Sequence, residues 1–200
     1  MTQIINAAAK LYNERYKEFG ADIKTVGWKD KESQQLRFEV LIKNIDLNGK
    51  TILDVGCGLG GLVDFLYKKK VFNFNYIGID VAKDLIDALN QKKYSDNINF
   101  FYGDIFSLNL SNIDVSILSG ALSYKQPGIK KSAKQTLFKM YDLSKEVACL
   151  NFLSSYVDYE ADINVHYQPE AVFAWAKEVS KKVRIYNDYP LYEFTVQVLK

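Results

Sequence analysis

The chain has 200 residues and nearly balanced charge, 26 Lys+Arg against 24 Asp+Glu for a net +2, with 48% hydrophobic residues. That length suits one domain, which can bury about 70% of the surface its unfolded form exposes without help from disulfides or a metal. The composition excludes a disordered tail protein, a collagen-like chain and a strongly basic nucleic-acid coat, and no run of about 20 apolar residues is present to span a membrane.

Residues 2–19 place Ile4, Ile5, Ala8, Leu11, Tyr12, Tyr16 and Phe19 at a three-to-four residue period, interrupted only by Arg15. This predicts a helix that Gly20 terminates. The start has neither a basic n-region nor a long apolar h-region, so no secretion signal is read and a cytoplasmic location is expected. Residues 21–30 read as a loop carrying Trp28. A second helix is expected from about Lys31 to Ile45, with Asp30 as N-cap and Leu36, Phe38, Leu41, Ile42 and Ile45 facing inward. Asn48-Gly49 marks a turn. The expected organisation is a helical cap over residues 1–46 and a main domain over 47–200.

From Thr51 the pattern changes to short apolar runs alternating with helical stripes. Strands are expected at Thr51–Val55, Tyr76–Asp80, Ile98–Tyr102, Val115–Leu118 and Val147–Phe152, then at 183–187 and Glu193–Leu199. Helices are expected after the first strand (Leu62, Phe65, Leu66), after the second (Leu85, Ile86, Leu89), around 130–142 and at 169–181. Strands alternating with helices imply an α/β fold with a mostly parallel sheet covered on both faces. Ligands bind such sheets beyond the carboxyl ends of the strands, where the strand order reverses. That rule brings Gly56–Gly60, Asp80, Asp104 and Ser119 to one edge.

Glycine use singles out the same edge. Of 11 glycines, four (Gly56, Gly58, Gly60 and Gly61) fall between residues 56 and 61. Such a cluster permits a sharp turn and removes the Cβ atoms that would hold a ligand away from the main chain. The glycines alone fit two loops. Gly56, Gly58 and Gly61 match a dinucleotide spacing, with pyrophosphate on the helix N-terminus; Gly56, Gly58 and Gly60 match a Gly-x-Gly-x-Gly loop. The acids separate them. Asp54, two residues ahead of Gly56, would repel a pyrophosphate but suits an ammonium or sulfonium centre. Asp80 can accept both hydroxyls of a ribose, and Asp104 can accept from an exocyclic amine.

Asp54-x-Gly56-x-Gly58-x-Gly60, then Asp80, then Gly103-Asp104-Ile105-Phe106 resemble the class I S-adenosylmethionine-dependent methyltransferases over about residues 50–200. The resemblance implies a seven-stranded, mostly parallel Rossmann-like sheet and S-adenosyl-L-methionine as cofactor. It implies that the loop Gly56, Cys57, Gly58 and Gly60 faces the methionine part, Asp80 with Val81 the ribose, and Asp104 with Ile105 the adenine. Ser119 would lie near the transferred methyl. Gly27-Trp28, Ser33-Gln34-x-x-Arg37-Phe38, Asp188-Tyr189-Pro190 and Phe194-Thr195 resemble a group of small uncharacterised bacterial methyltransferases. Arg37 is a candidate for a bidentate contact with the donor's carboxylate, with a surface helix arginine as the alternative. Trp28 reads as packing between cap and core.

Three function classes follow: a methyltransferase acting on a small-molecule acceptor, a non-catalytic binding protein of the same fold, and a nicotinamide-dependent oxidoreductase. The segment Ser119-Gly120-Ala121-Leu122-Ser123-Tyr124 lacks the Asn/Asp-Pro-Pro-aromatic motif of amino-methylating enzymes, which with the near-neutral charge disfavours nucleic acid as acceptor. The acceptor pocket is expected between residues 2–45 and the loops at 119–128 and 153–168, which hold Tyr124, Tyr156, Tyr159, His166 and Tyr167. His166 and Tyr124 are candidates to assist deprotonation; for His166 the alternative is a loop histidine without a catalytic role. With one histidine, and with Cys57 and Cys149 in no zinc spacing, no metal site is expected. Cys149 reads as a buried small hydrophobe. Oligomeric state is not legible.

Overall fold

A computed structural model describes residues 2–200. The helix α1 (Thr2–Phe19) ends where Gly20 turns into the left-handed region, its N–H bonded to Tyr16 O at 2.8 Å. A 3₁₀ turn (Ile23–Val26) occupies part of the expected loop. Arg15, which breaks the apolar stripe of α1, points its guanidinium at the carbonyls of Lys24 and Thr25 in that turn. The polar interruption is therefore a tie between helix and turn.

The helix α2 (Lys31–Leu41) starts on Asp30, whose side chain accepts the Ser33 N–H at 2.7 Å. It stops four residues before the expected Ile45, because the backbone turns at Asn44 into φ 62° and the chain must enter β1. The order then runs β1 (Lys50–Val55), α3 (Gly61–Lys68), β2 (Phe74–Asp80), α4 (Lys83–Asn90), β3 (Ile98–Tyr102), β4 (Ile113–Leu118), α5 (Ile129–Leu143), β5 (Ser144–Leu153), α6 (Pro169–Val179), β6 (Lys182–Tyr186) and β7 (Glu193–Leu199).

The seven strands form one sheet in the order β3-β2-β1-β4-β5-β7-β6. Pairs from β3 to β5 are parallel; β7 enters antiparallel between β5 and β6. The two faces carry separate cores. Ile52, Tyr76, Val115 and Ile117 pack with α2, α3 and α4 residues such as Phe38, Leu66 and Leu89. Leu53, Ile79, Leu118 and Leu150 pack with α5 and α6 residues such as Leu137, Met140 and Val172. Alternation along one strand, Ile52 to one core and Leu53 to the other, follows from the two-residue period of a strand buried on both faces.

The residues expected to form a cap divide. α2 packs against β5, β7 and α3, so it is one of the helices that cover the sheet, whereas α1 packs on the 3₁₀ turn and α4. α1 has no fully buried residue. Its apolar stripe faces the cleft described next. No helix among the described residues is long and apolar enough to cross a membrane.

Candidate functional site

Strand order reverses between β1 and β4, and a cleft of about 270 Å³ opens at their carboxyl ends. It is lined by the loop after β1, the ends of β2 and β4, the turn after β3, and α1 with the 3₁₀ turn above. The loop after β1 carries three left-handed glycines, Gly56 (φ 76°), Gly58 (φ 55°) and Gly60 (φ 79°). Main-chain N–H groups of Gly56 and Cys57 both donate to Ile79 O, at 2.8 and 3.1 Å, which pins the loop onto β2. A Cβ on Gly56 would stand 2.5 Å from the Ala121 Cβ. The loop after β1 and the turn after β4 therefore touch, and only glycine admits the approach.

Asp80 ends β2 and organises this loop. One carboxylate oxygen accepts the Gly58 N–H and the other the Ala82 N–H, each at 2.9 Å. It is buried, and burial raises its pKa against the lowering effect of those bonds. Asp54, 3% exposed, accepts the Tyr76 hydroxyl. Burial pushes its carboxyl up to about 7, with the Tyr76 bond opposing and the Asp80 charge adding to the rise. Burial likewise holds the Cys57 thiol well above its usual range, so it is protonated and inert. Asp104 folds into a tight turn, accepting the Phe106 N–H at 2.8 Å, with Ile105 buried beside it. Ser119 lines the cleft, and its Oγ is buried without a partner.

Of the residues expected at one edge, Asp54, Gly56, Cys57, Gly58, Asp80, Val81, Asp104, Ile105 and Ser119 all line this cleft. Gly60 stands behind them as the N-cap of α3. Three other expectations differ. Arg37 does not reach the cleft: its Nε bonds both carboxylate oxygens of Glu193, at 2.7 and 2.6 Å, and Trp28 lies 4.2 Å over the guanidinium. The fork expected to grip a ligand carboxylate grips a protein carboxylate instead. His166 is outside the cleft, its Nδ1 2.7 Å from Ser154 O. Tyr124 is also outside, where it bridges to Asn164. The segment 153–168 contributes nothing to the lining; a parallel bridge between Ser154 and Tyr167 folds it onto itself, and an antiparallel bridge ties its Asn164 to Tyr124.

The structure adds residues to which the sequence reading gave no role in the site. Lys31 and Gln34, from the start of α2, and Lys92, after α4, line the cleft near the N-terminus of α3. Asn151 of β5 accepts the Gly120 N–H at 2.8 Å and donates to Glu193 at 3.0 Å. Thus the chain Arg37–Glu193–Asn151 ends on the turn that carries Ser119. A cluster of His, Cys, Asp or Glu able to hold a metal is absent among the described residues.

A family model described as a methyltransferase domain matches residues 46–182. A Mycobacterium tuberculosis protein that bears the name of a methyltransferase is 30% identical over 158 residues, covering 75% of this chain and 93% of the relative. Ribosomal RNA small subunit methyltransferase A of Mesomycoplasma hyopneumoniae is 30% identical over 86 residues, 43% of this chain and 32% of its own. Among solved structures, the magnesium protoporphyrin IX methyltransferase of Synechocystis with bound S-adenosylhomocysteine superposes with a TM-score of 0.72 at 13% identity, covering 98% of this chain and 99% of that one. The pyocyanin biosynthetic protein PhzM gives 0.62 at 17% identity, covering 84% and 56%. At such identities the structural likeness is one of fold. With the family model spanning most of the sheet, the chain belongs to the methyltransferase-domain family.

Proposed function

We propose that this protein is an active S-adenosylmethionine-dependent methyltransferase whose acceptor is a small molecule. The observation that supports it is the convergence of the Gly56–Gly58 loop, Asp80 and the unpartnered Ser119 Oγ on one cleft at the sheet's reversal point. A carboxylate has about four lone-pair sites. Asp80 uses two on Gly58 and Ala82, which leaves two for the hydroxyls of a ribose. Asp104, with one oxygen on Phe106, keeps the other for an exocyclic amine, and Val81 and Ile105 offer apolar walls for the adenine. The glycine loop, including Cys57 and Gly60, faces the methionine part. Lys31, at the mouth of the cleft, takes the place expected of Arg37 as counter-ion for the donor's carboxylate. A sulfonium or ammonium centre bound nearby would favour the charged form of Asp54, whose carboxyl burial otherwise holds at about 7.

When bound, S-adenosylmethionine supplies an electrophilic methyl on a sulfonium, with a neutral thioether as leaving group. The protein's own part is alignment and exclusion of water. α1 spans the cleft for that purpose. Gln126 Nε2 bonds Ile4 O at 3.2 Å near one end, and Asn13 accepts the Asp84 N–H at 3.1 Å towards the other. A small acceptor is supported by this covered cleft and by a net charge of only +2, which provides little attraction for a polyanion.

Calorimetry with S-adenosylmethionine, S-adenosylhomocysteine and NAD tests the reading. Heat is expected with both adenosyl ligands and not with NAD. No heat with either adenosyl ligand overturns it. Transfer of label from methyl-labelled donor separates an enzyme from a binding protein of the same fold.

A further inference from the structure

The cleft is divided by charge. At the ends of β1, β2 and β3 its lining includes Asp54, Asp80, Asp104, Asp64, Lys31 and Lys92. Past Ser119 it continues between the first half of α1 and the first half of α5, where apolar Ile4, Ile5, Leu122 and Ile129 and uncharged Gln126, Ser132 and Thr136 form the wall. Among the described residues, none of those forming this second part is Asp, Glu, Lys, Arg or His. The three lysines near the start of α5, Lys130, Lys131 and Lys134, do not line it. Tyr12 of α1 lines the cleft near enough to Asp80 to feel its charge. Burial, and then the Asp80 charge, push its phenol up to about 12, so it is a neutral hydroxyl at physiological pH.

An ion placed in the apolar part would lose its hydration with no counter-charge to replace it, a cost of several kcal/mol. A neutral apolar body would instead displace water from Ile4, Ile5, Leu122 and Ile129. A polar group on it has a hydroxyl partner at the boundary, Ser119 Oγ, which is buried without a partner, and Thr136 is a further hydroxyl-bearing residue of the lining. Both chemical needs of an acceptor are therefore met by uncharged groups, an apolar wall for its body and hydroxyls for its nucleophile.

We infer that the acceptor is an electrically neutral, mainly apolar molecule with a single polar nucleophilic group, held between α1 and α5 with that group toward Ser119. Charged acceptors such as carboxylates, phosphates, nucleotides and ammonium compounds are rejected by this compartment. The inference rests on the donor-site reading above, since the charged half must be filled by the methyl donor for the neutral half to take the acceptor.

The test uses the full chain saturated with S-adenosylhomocysteine. The probes are β-naphthol, its ring-carboxylated derivative, which is anionic at neutral pH, and its aminomethyl derivative, which is cationic. Calorimetry is expected to show β-naphthol bound at least about ten-fold more tightly than either ion, a difference of about 1.4 kcal/mol. In Ile5→Lys the preference is expected to turn toward the carboxylated probe. Ile5 lies half-buried on a helix with no fully buried residue, so the variant should fold; an Ile5→Gln protein controls for lost apolar area. Equal or tighter binding of an ionic probe to the native protein, no binding of β-naphthol, or no change of preference in Ile5→Lys overturns the inference. Heat from S-adenosylhomocysteine, measured first in each protein, reports on the donor site separately.

Discussion

Arg37 and Glu193, 156 positions apart in sequence, form a buried ion pair behind the turn that bears Ser119. Glu193 passes the contact to Asn151, and Asn151 to the Gly120 N–H. The side chains named are buried and each is bonded to the next, while Arg37 Nη1 is left without a hydrogen-bond partner. This makes Arg37 a positioning residue for the fourth strand's turn. Replacing it with Met leaves the Glu193 carboxylate without its cation, and removing one partner of a buried pair typically costs about 3–5 kcal/mol. Denaturant titration of Arg37→Met should show a loss of that size, and Arg37→Met with Glu193→Leu should recover much of it. Single and double variants of equal stability would contradict the coupling.

Trp28 covers the other side of the same turn. A Cβ on Gly120 would lie 2.3 Å from the indole, and Gly120 has φ 75°. Gly120→Ala should therefore destabilise by about 1 kcal/mol for its backbone and by more for the clash. Trp28→Leu should remove the clash part only. A double-mutant cycle by thermal melting checks this, and additive effects would show that the indole is not held against the turn.

Asp80 is the residue whose loss should act most directly on the donor site. Asp80→Ala removes the acceptor for the Gly58 and Ala82 N–H groups and frees the loop after β1. A loss of about 1–3 kcal/mol in S-adenosylhomocysteine affinity is expected from the missing charge-assisted bonds. Calorimetry measures it directly, and an unchanged dissociation constant would remove Asp80 from the site.

Asp54 gives a pH dependence of definite sign. Burial disfavours the charge and pushes its carboxyl up to about 7 in the folded protein, against an ordinary value of 3.8. Between those values the unfolded chain has released the proton and the folded chain has not. Stability is thus full below about pH 4, falls as pH rises toward 7, and levels off above it. The fall amounts to a few kcal/mol. Melting temperatures across this range should decline less in Asp54→Asn than in the native protein. Parallel curves would show that Asp54 carries its charge in both states.

Local signals were enough for most of the fold, and for that part of the site which sits on strand ends. β1, β2 and β4 each run into a residue that lines the cleft, so alternating strands and helices located Asp54, Asp80 and Ser119 without any long-range information. Arg37 shows where local reading stops. Its partner Glu193 is placed by the antiparallel register in which Leu153 faces Glu193 on β7, and no periodicity near residue 37 encodes that pairing. The tyrosines and the histidine between 153 and 168 illustrate a different limit. Loop residues follow bridges such as Ser154 with Tyr167, which turn the segment onto itself and away from the cleft. α1 was readable as an amphipathic helix, but the same stripe suits a core or a cavity, and here it covers a cavity.

The position of β7 has a consequence for the order in which the protein is made. The last strand of the chain is not an edge strand; it completes the sheet between β5 and β6. Until Glu193–Leu199 leaves the ribosome, β5 presents an unpaired edge and β6 has no neighbour. Glu193, the link between Arg37 and Asn151, arrives in the same segment. A nascent chain can form the glycine loop, Asp80 and Asp104 early, yet the turn at Ser119–Gly120 gains its buttress only once β7 has been made and has inserted between β5 and β6. Assembly of the cleft is thereby coupled to the insertion of that strand.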